Sequence, residues 1–158
     1  MNKIKNWFLK FREPIHTKDL KRFIVEGFLS SLLMGALIGV GSYYLSRTDL
    51  HFLTFFSFFI LYPFVTQRLY RSFGFYHVLY SVLAVFFIIF GIYVMSVSEL
   101  LMRGYEITGA IYLPAFNPLY HFPFLTHWPA DILTIISNLI SILAYILVCV
   151  FAYLRMKR

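Results

Sequence analysis

The stretch Gly27-Phe-Leu-Ser-Ser-Leu-Leu-Met-Gly-Ala-Leu-Ile-Gly39 places Gly27, Ser31, Gly35 and Gly39 at every fourth position of an uncharged, largely apolar run. A spacing of four puts all of them on one face of a helix. In lipid there is no water to expel, so helices associate by close packing, and small residues in register let two backbones approach. The run therefore predicts a membrane-crossing helix whose packing face is Gly27, Ser31, Gly35 and Gly39. The expected use of that face is docking, onto a second copy of the chain or onto a larger membrane partner.

Composition agrees with a lipid environment. Of 158 residues, 60% are hydrophobic and only 13% charged, with aromatics at 21%, whereas an ordinary soluble domain is about one-quarter charged. A water-soluble core of this size could not bury so many large rings. The net charge of +7 does not indicate nucleic acid, because the basic residues gather at helix ends and tails instead of along one folded face. Cys149 is the single cysteine, so neither an internal disulfide nor a CxxC motif is available.

Working outward, residues 1–22 form a basic arm carrying Lys3, Lys5, Lys10, Arg12, Lys18, Lys21 and Arg22. Ile4, Trp7, Phe8 and Phe11 are spaced as one apolar helical face, which predicts either a helix lying on anionic lipid headgroups or a frayed tail. Pro14 breaks it, and Thr17 is the expected cap of the next helix. The arm does not resemble a cleaved signal peptide. The first span covers 23–45, with Glu26 at its inner end as an ion-pair partner of Lys21 or Arg22. A second, Phe-rich span covers 50–66, short for a crossing and therefore expected to continue toward Leu69, with Pro63 bending it and Gln67 and Arg68 reaching toward headgroups. The third covers 75–97 without a formal charge, with Tyr70, Tyr76 and Tyr80 as an interfacial belt and His77 bonding a headgroup or the backbone.

Residues 98–130 read as a connection rich in proline and aromatic residues. Pro114, Pro118, Pro123 and Pro129 argue against another spanning helix, since unsatisfied backbone groups are costly in lipid. The segment is too apolar to float in water, so it is expected to lie along the outer membrane surface or to cap the bundle. The last span covers 131–154, where Thr134, Ser137, Asn138 and Ser141 share one polar face that should point inward as hydrogen-bonding glue. Cys149 reads as a small buried apolar residue.

The fold class predicted is thus an all-α membrane protein, a compact bundle of four transmembrane helices. Twelve of the fourteen Lys and Arg fall on the side that would hold both termini, leaving Arg47 and Arg103 on the other. That asymmetry predicts cytoplasmic N- and C-termini. A short chain without a transit or retrieval signal points to a bacterial plasma membrane.

The topology gathers Asp49, His51, Glu99, Glu106, His121, His127 and Asp131 on the outer face. Imidazoles and carboxylates can hold a divalent metal, and His51, His121, His127 and Asp131 are the candidate ligands. His-x5-His lacks the spacing of a helical metal motif, and there is no P-loop, GxSxG, HExxH or dinucleotide fingerprint. No cofactor is expected. The leading functional expectation is a non-enzymatic accessory subunit of a membrane complex. Alternatives are an oligomeric small-solute channel or transporter lined by Thr134, Asn138 and Ser141, and an outer-face metal-dependent enzyme.

Overall fold

The computed structural model describes residues 14–49, 51–121 and 132–157. They form α-helices and short 3-10 turns, with no strand among the described residues. Helix α1 spans Thr17–Leu45, α2 Ser57–Tyr70, α3 Val78–Thr108, α4 Pro118–His121 and α5 Ile132–Met156; 3-10 turns occupy His51–Phe56 and Leu113–Phe116. Three helices, α1, α3 and α5, are long and apolar enough to cross a membrane.

Local chemistry explains most boundaries and corrects several expectations. Helix α1 begins at Thr17, the position expected to open it, and runs through the apolar stretch 23–45 read as the first span. His16 is its cap residue in extended conformation, making no side-chain cap bond, and Thr17 is already helical. Residues 1–13 of the basic arm lie outside the described residues. Asp19 sits in the first turn, where a negative charge suits the helix dipole. Its carboxylate also accepts the backbone N–H of Gly74 at 3.2 Å.

Helix α2 has 14 residues, about 21 Å of rise. The stretch 50–66 read as the second span opens with a 3-10 turn, and the α-helix after it runs on to Tyr70, close to the continuation to Leu69 expected from its length. Pro63 lies inside α2. Helix α3 starts at Val78, where the His77 Nδ1 accepts the Leu79 N–H at 3.0 Å. It continues past the expected end at Val97 to Thr108, which shortens the connection expected over 98–130. The charges there are helical in spacing, Glu99, Arg103 and Glu106 falling at i, i+4 and i+7, and Arg103 donates to Glu99 at 2.7 Å. The helix stops only at Gly109, whose φ of 67° is the left-handed conformation that glycine takes without a side-chain penalty.

Packing order gives the helix directions. Along α1, Phe23 meets Tyr80, Gly27 meets Phe87, Gly35 meets Gly91 and Val94, Gly39 meets Met95 and Ser98, and Tyr43 meets Glu106. Both sets rise together, so α1 and α3 run parallel. Helix α2 runs against them: Ser57 bonds Ser42 at 2.8 Å, Leu61 packs by Gly91, and Arg68 reaches Glu26 at 4.0 Å. Helix α5 follows the direction of α2, with Phe58 on Tyr145, Tyr62 on Phe151 and Arg155 over the Tyr70 ring. Phe23, Leu61, Leu69, Tyr80, Ile88 and Ile92 fill the core among these helices.

The stripe Gly27, Ser31, Gly35 and Gly39 is buried and lies against α3. A Cβ at Gly35 would come within 2.6 Å of the Gly91 carbonyl oxygen, and one at Gly39 would collide with the Met95 carbonyl. Ser31 adds a hydrogen bond, its Oγ donating to the Phe87 carbonyl at 2.8 Å. The face expected to dock a partner is therefore occupied inside the chain. Glycine on α1 and glycine on α3 bring the two backbones together, which is how small residues work in membrane interfaces.

Candidate functional site

The two ends of the bundle carry nearly all its polar chemistry. At the far end, where α1 and α3 finish, Arg47 forms an ion pair with Glu106 and stacks over the Tyr43 ring, 4.9 Å from its centroid. Tyr43 Oη donates to the same carboxylate at 2.7 Å. This triad ties the turn after α1 to the extension of α3. About half of the Arg47 and Glu106 side chains remain exposed, so the pair is a modest fastener of about 0–1 kcal/mol.

A cleft of about 210 Å³ opens beside α3, lined by Ser96, Glu99, Leu100, Arg103, Tyr120 and His121. The Glu99 carboxylate is compensated by Arg103 one turn on. The His121 Nε2 lies 2.6 Å from the Ala115 carbonyl. An acceptor that close requires Nε2 to be the donor, which leaves the lone pair of the neutral ring on Nδ1. The ring is also edge-on to Tyr93, at 5.2 Å between centroids. The cleft thus gathers a balanced ion pair, an oriented imidazole and two hydroxyl-bearing side chains, a set suited to hydrogen-bonding a small polar or zwitterionic group.

Among the described residues, Asp49 and Glu106 do not line this cleft. Asp49 is exposed in the turn after α1, and His51 opens the 3-10 turn before α2. His127 and Asp131 lie outside the described residues. Glu106 is committed to Arg47 and Tyr43, away from the Glu99 cleft. Among the described residues no group of three His, Cys, Asp or Glu side chains is placed to hold a metal.

At the near end, a cleft of about 590 Å³ lies between the residues that lead into α1 and α3, lined by Pro14, Ile15, His16, Phe75, Tyr76, His77 and Tyr80. Glu26, expected to pair with Lys21 or Arg22, has Arg68 of α2 as its ion-pair partner. On α5, Asn138 and Ser141 are half-buried, while the side chains of Thr134 and Ser137 lie outside the described set. Cys149, expected to be buried, is half-buried.

Of the buried hydroxyls along the helices, those of Ser31, Ser42 and Ser57 bridge between helices and those of Ser30 and Thr66 bond back within their own. Ser30 donates to the Gly27 carbonyl, Ser31 to that of Phe87, Thr66 to that of Tyr62, and Ser42 pairs with Ser57. The Ser42 and Ser57 pair was not anticipated from sequence. Two serines fifteen positions apart, on either side of a turn after an apolar run, are its only signal. No protein-family model, curated protein or solved structure matches this chain. Functional inference therefore rests on the chain's own geometry.

Proposed function

We propose that this chain is a four-crossing integral membrane protein, with both termini in the cytoplasm, that serves as a non-enzymatic accessory or regulatory subunit of a membrane complex. Helix direction supports the number of crossings. Two parallel helices that each cross the bilayer enter from the same side, so the chain between Leu45 and Val78 has to return across it. Among the described residues the helical material there is the turn His51–Phe56 and α2, which together amount to about 33 Å at 3-10 and α-helical rise. That is enough for a hydrocarbon core of about 30 Å. The lysine and arginine asymmetry then favours cytoplasmic termini, and a bacterial plasma membrane remains the preferred location.

The observation that carries the accessory role is how the polar groups of α1 to α3 are spent. The buried hydroxyls bond backbone or each other, and Glu99 and Glu106 are answered by Arg103 and Arg47. Apolar side chains are exposed on several helices, and of the three long ones α5 is the least buried within the chain, with Leu139, Leu143, Ile146 and Val150 exposed along it. With the α1 stripe occupied, α5 is the docking helix of this reading. The occupant is either a second copy or a larger membrane partner.

Chemical cross-linking in native membranes followed by mild-detergent purification tests it. A discrete cross-linked species that disappears in the double variant Leu143→Trp, Ile146→Trp supports the reading, because two indoles are tolerated by lipid but not by a packed helix interface. A monomer before and after cross-linking refutes it.

A further inference from the structure

The geometry points to a re-entrant wedge: the segment from Gly109 to His121 folds back into the leaflet at the far end of the bundle and presents its apolar side chains to lipid acyl chains. This rests on the reading that α3 crosses the bilayer. Helix α3 has 31 residues, about 46 Å of rise, or some 15 Å more than a hydrocarbon core requires. Counted from the level of Tyr80, which is itself buried in the core one turn beyond half-buried Tyr76, a core of about 30 Å ends near Leu100. Tyr93 then lies about 10 Å below that boundary.

After turning at Gly109, the chain descends beside α3. Tyr112 packs on Gly104, and a Cβ there would meet the tyrosine side chain. Four residues later, Tyr93 Oη donates to the Phe116 carbonyl at 2.6 Å, and the His121 ring sits edge-on against Tyr93. The segment has therefore passed from beside residue 104 to within reach of the Tyr93 hydroxyl, with Tyr120 and His121 level with the cleft at Ser96–Arg103, a descent toward the bilayer centre of at most about 16 Å.

Irregular backbone at such depth survives only where protein groups satisfy it. That condition is met at the turn Leu113–Phe116. The carbonyl of Ala115 takes the His121 Nε2 and the next one, of Phe116, takes the Tyr93 hydroxyl, both at 2.6 Å. The Tyr112 and Pro114 carbonyls accept backbone N–H groups from Ala115 and Asn117. The side chains turned away from α3 are the wrong kind for water. Ile111, Leu113, Phe116 and Leu119 are each more than half exposed, Leu113 at 74%. Acyl chains are the occupant that fits both the depth and the chemistry.

Spin labels provide the test. In full-length protein carrying Cys149→Ala, single cysteines replace Leu113, Leu119, Ala110 and Phe86, and the labelled variants are reconstituted into phosphatidylcholine and phosphatidylglycerol vesicles. Collision rates are read with oxygen, which concentrates in lipid, and with a water-soluble nickel chelate. Leu113 and Leu119 should give oxygen-to-nickel ratios several-fold above that at the turn residue Ala110, close to the ratio at Phe86 on the exposed flank of α3. Nickel-dominated collisions at Leu113 and Leu119, with Phe86 still oxygen-dominated, overturn the wedge and leave the crossing of α3 intact. Low collision with both reagents at Leu113 and Leu119 also overturns it, since protein would then cover the segment. A nickel-dominated Phe86 overturns the crossing itself.

Discussion

Replacing Gly35 with alanine puts one methyl group into the tightest seam of the bundle. The added Cβ would lie 2.6 Å from the Gly91 carbonyl oxygen and 3.0 Å from the Val94 Cβ, where ordinary contact begins at 3.4 Å. The obstacle is backbone, so no side-chain rotation relieves it and α1 has to move away from α3 by most of an ångström. A gap of about 0.5–1 Å forfeits a quarter to a half of each dispersion contact along the seam. Overpacking of this kind costs about 1–3 kcal/mol. Gly39→Ala meets the Met95 carbonyl and should cost a similar amount. Because one separation of the helices relieves both clashes, the double variant should cost less than the sum of the two. Gly41 is the control: a Cβ there meets nothing within 4 Å, so Gly41→Ala should be neutral, or stabilising by up to about 1 kcal/mol through helix propensity. Equilibrium unfolding in mixed micelles, followed by circular dichroism, measures all four. If Gly35→Ala and Gly39→Ala unfold with Gly41→Ala, the stripe does not hold α1 to α3 and the packing argument fails.

Other substitutions probe separate contacts. Ser31→Ala removes the hydrogen bond to the Phe87 carbonyl and should lower stability by about 0.5–1 kcal/mol in the same unfolding assay, in the range of interhelical bonds in membranes; a loss above that range would mean the serine does more than bond. Glu106→Gln keeps an acceptor for Tyr43 but discharges the pair with Arg47. Its cost should stay within about 1 kcal/mol and shrink as salt rises, as for other exposed pairs, and a salt-independent loss would contradict this. Gly109→Ala forces a side chain into the left-handed cap of α3. Hydrogen exchange at the Gly109 and Ala110 amides should accelerate by about fivefold, the equivalent of about 1 kcal/mol, while exchange in the middle of α3 stays unchanged.

How much of this was legible in the sequence depends on the kind of signal. Long uncharged runs mark α1, α3 and α5, because lipid demands continuous apolar helices. The stripe was legible as a packing face, but its partner was not. A face of small residues looks the same whether its complement is another chain or, as here, Gly91 and Val94 of α3. The expected third span stops at Val97, where Glu99, Arg103 and Glu106 read as the edge of the membrane, while the helix itself runs on to Thr108. Their spacing was nonetheless helical, and Gly109 marked where the helix could stop. Over 50–66 the signal is of another kind. Its apolar character is the same for a 3-10 turn as for an α-helix, and only hydrogen bonding distinguishes them. At the candidate site, His121 was singled out as a metal ligand, yet one of its ring nitrogens bonds the Ala115 carbonyl. Contacts between the helix end and the segment that folds back on it carry no periodic signature, so the roles of Tyr93 and Tyr112 could not be read in advance.

The parallel arrangement of α1 and α3, and with it the four-crossing path, is the claim on which the rest depends. Cysteine accessibility in intact cells tests it directly, using Cys149→Ala protein with a single cysteine in place of Lys18, Ala110 or Lys157. A membrane-impermeant maleimide should label the Ala110 variant in intact cells and reach the Lys18 and Lys157 variants only after permeabilisation. Labelling of either end variant in intact cells, or protection of the Ala110 variant, would contradict it.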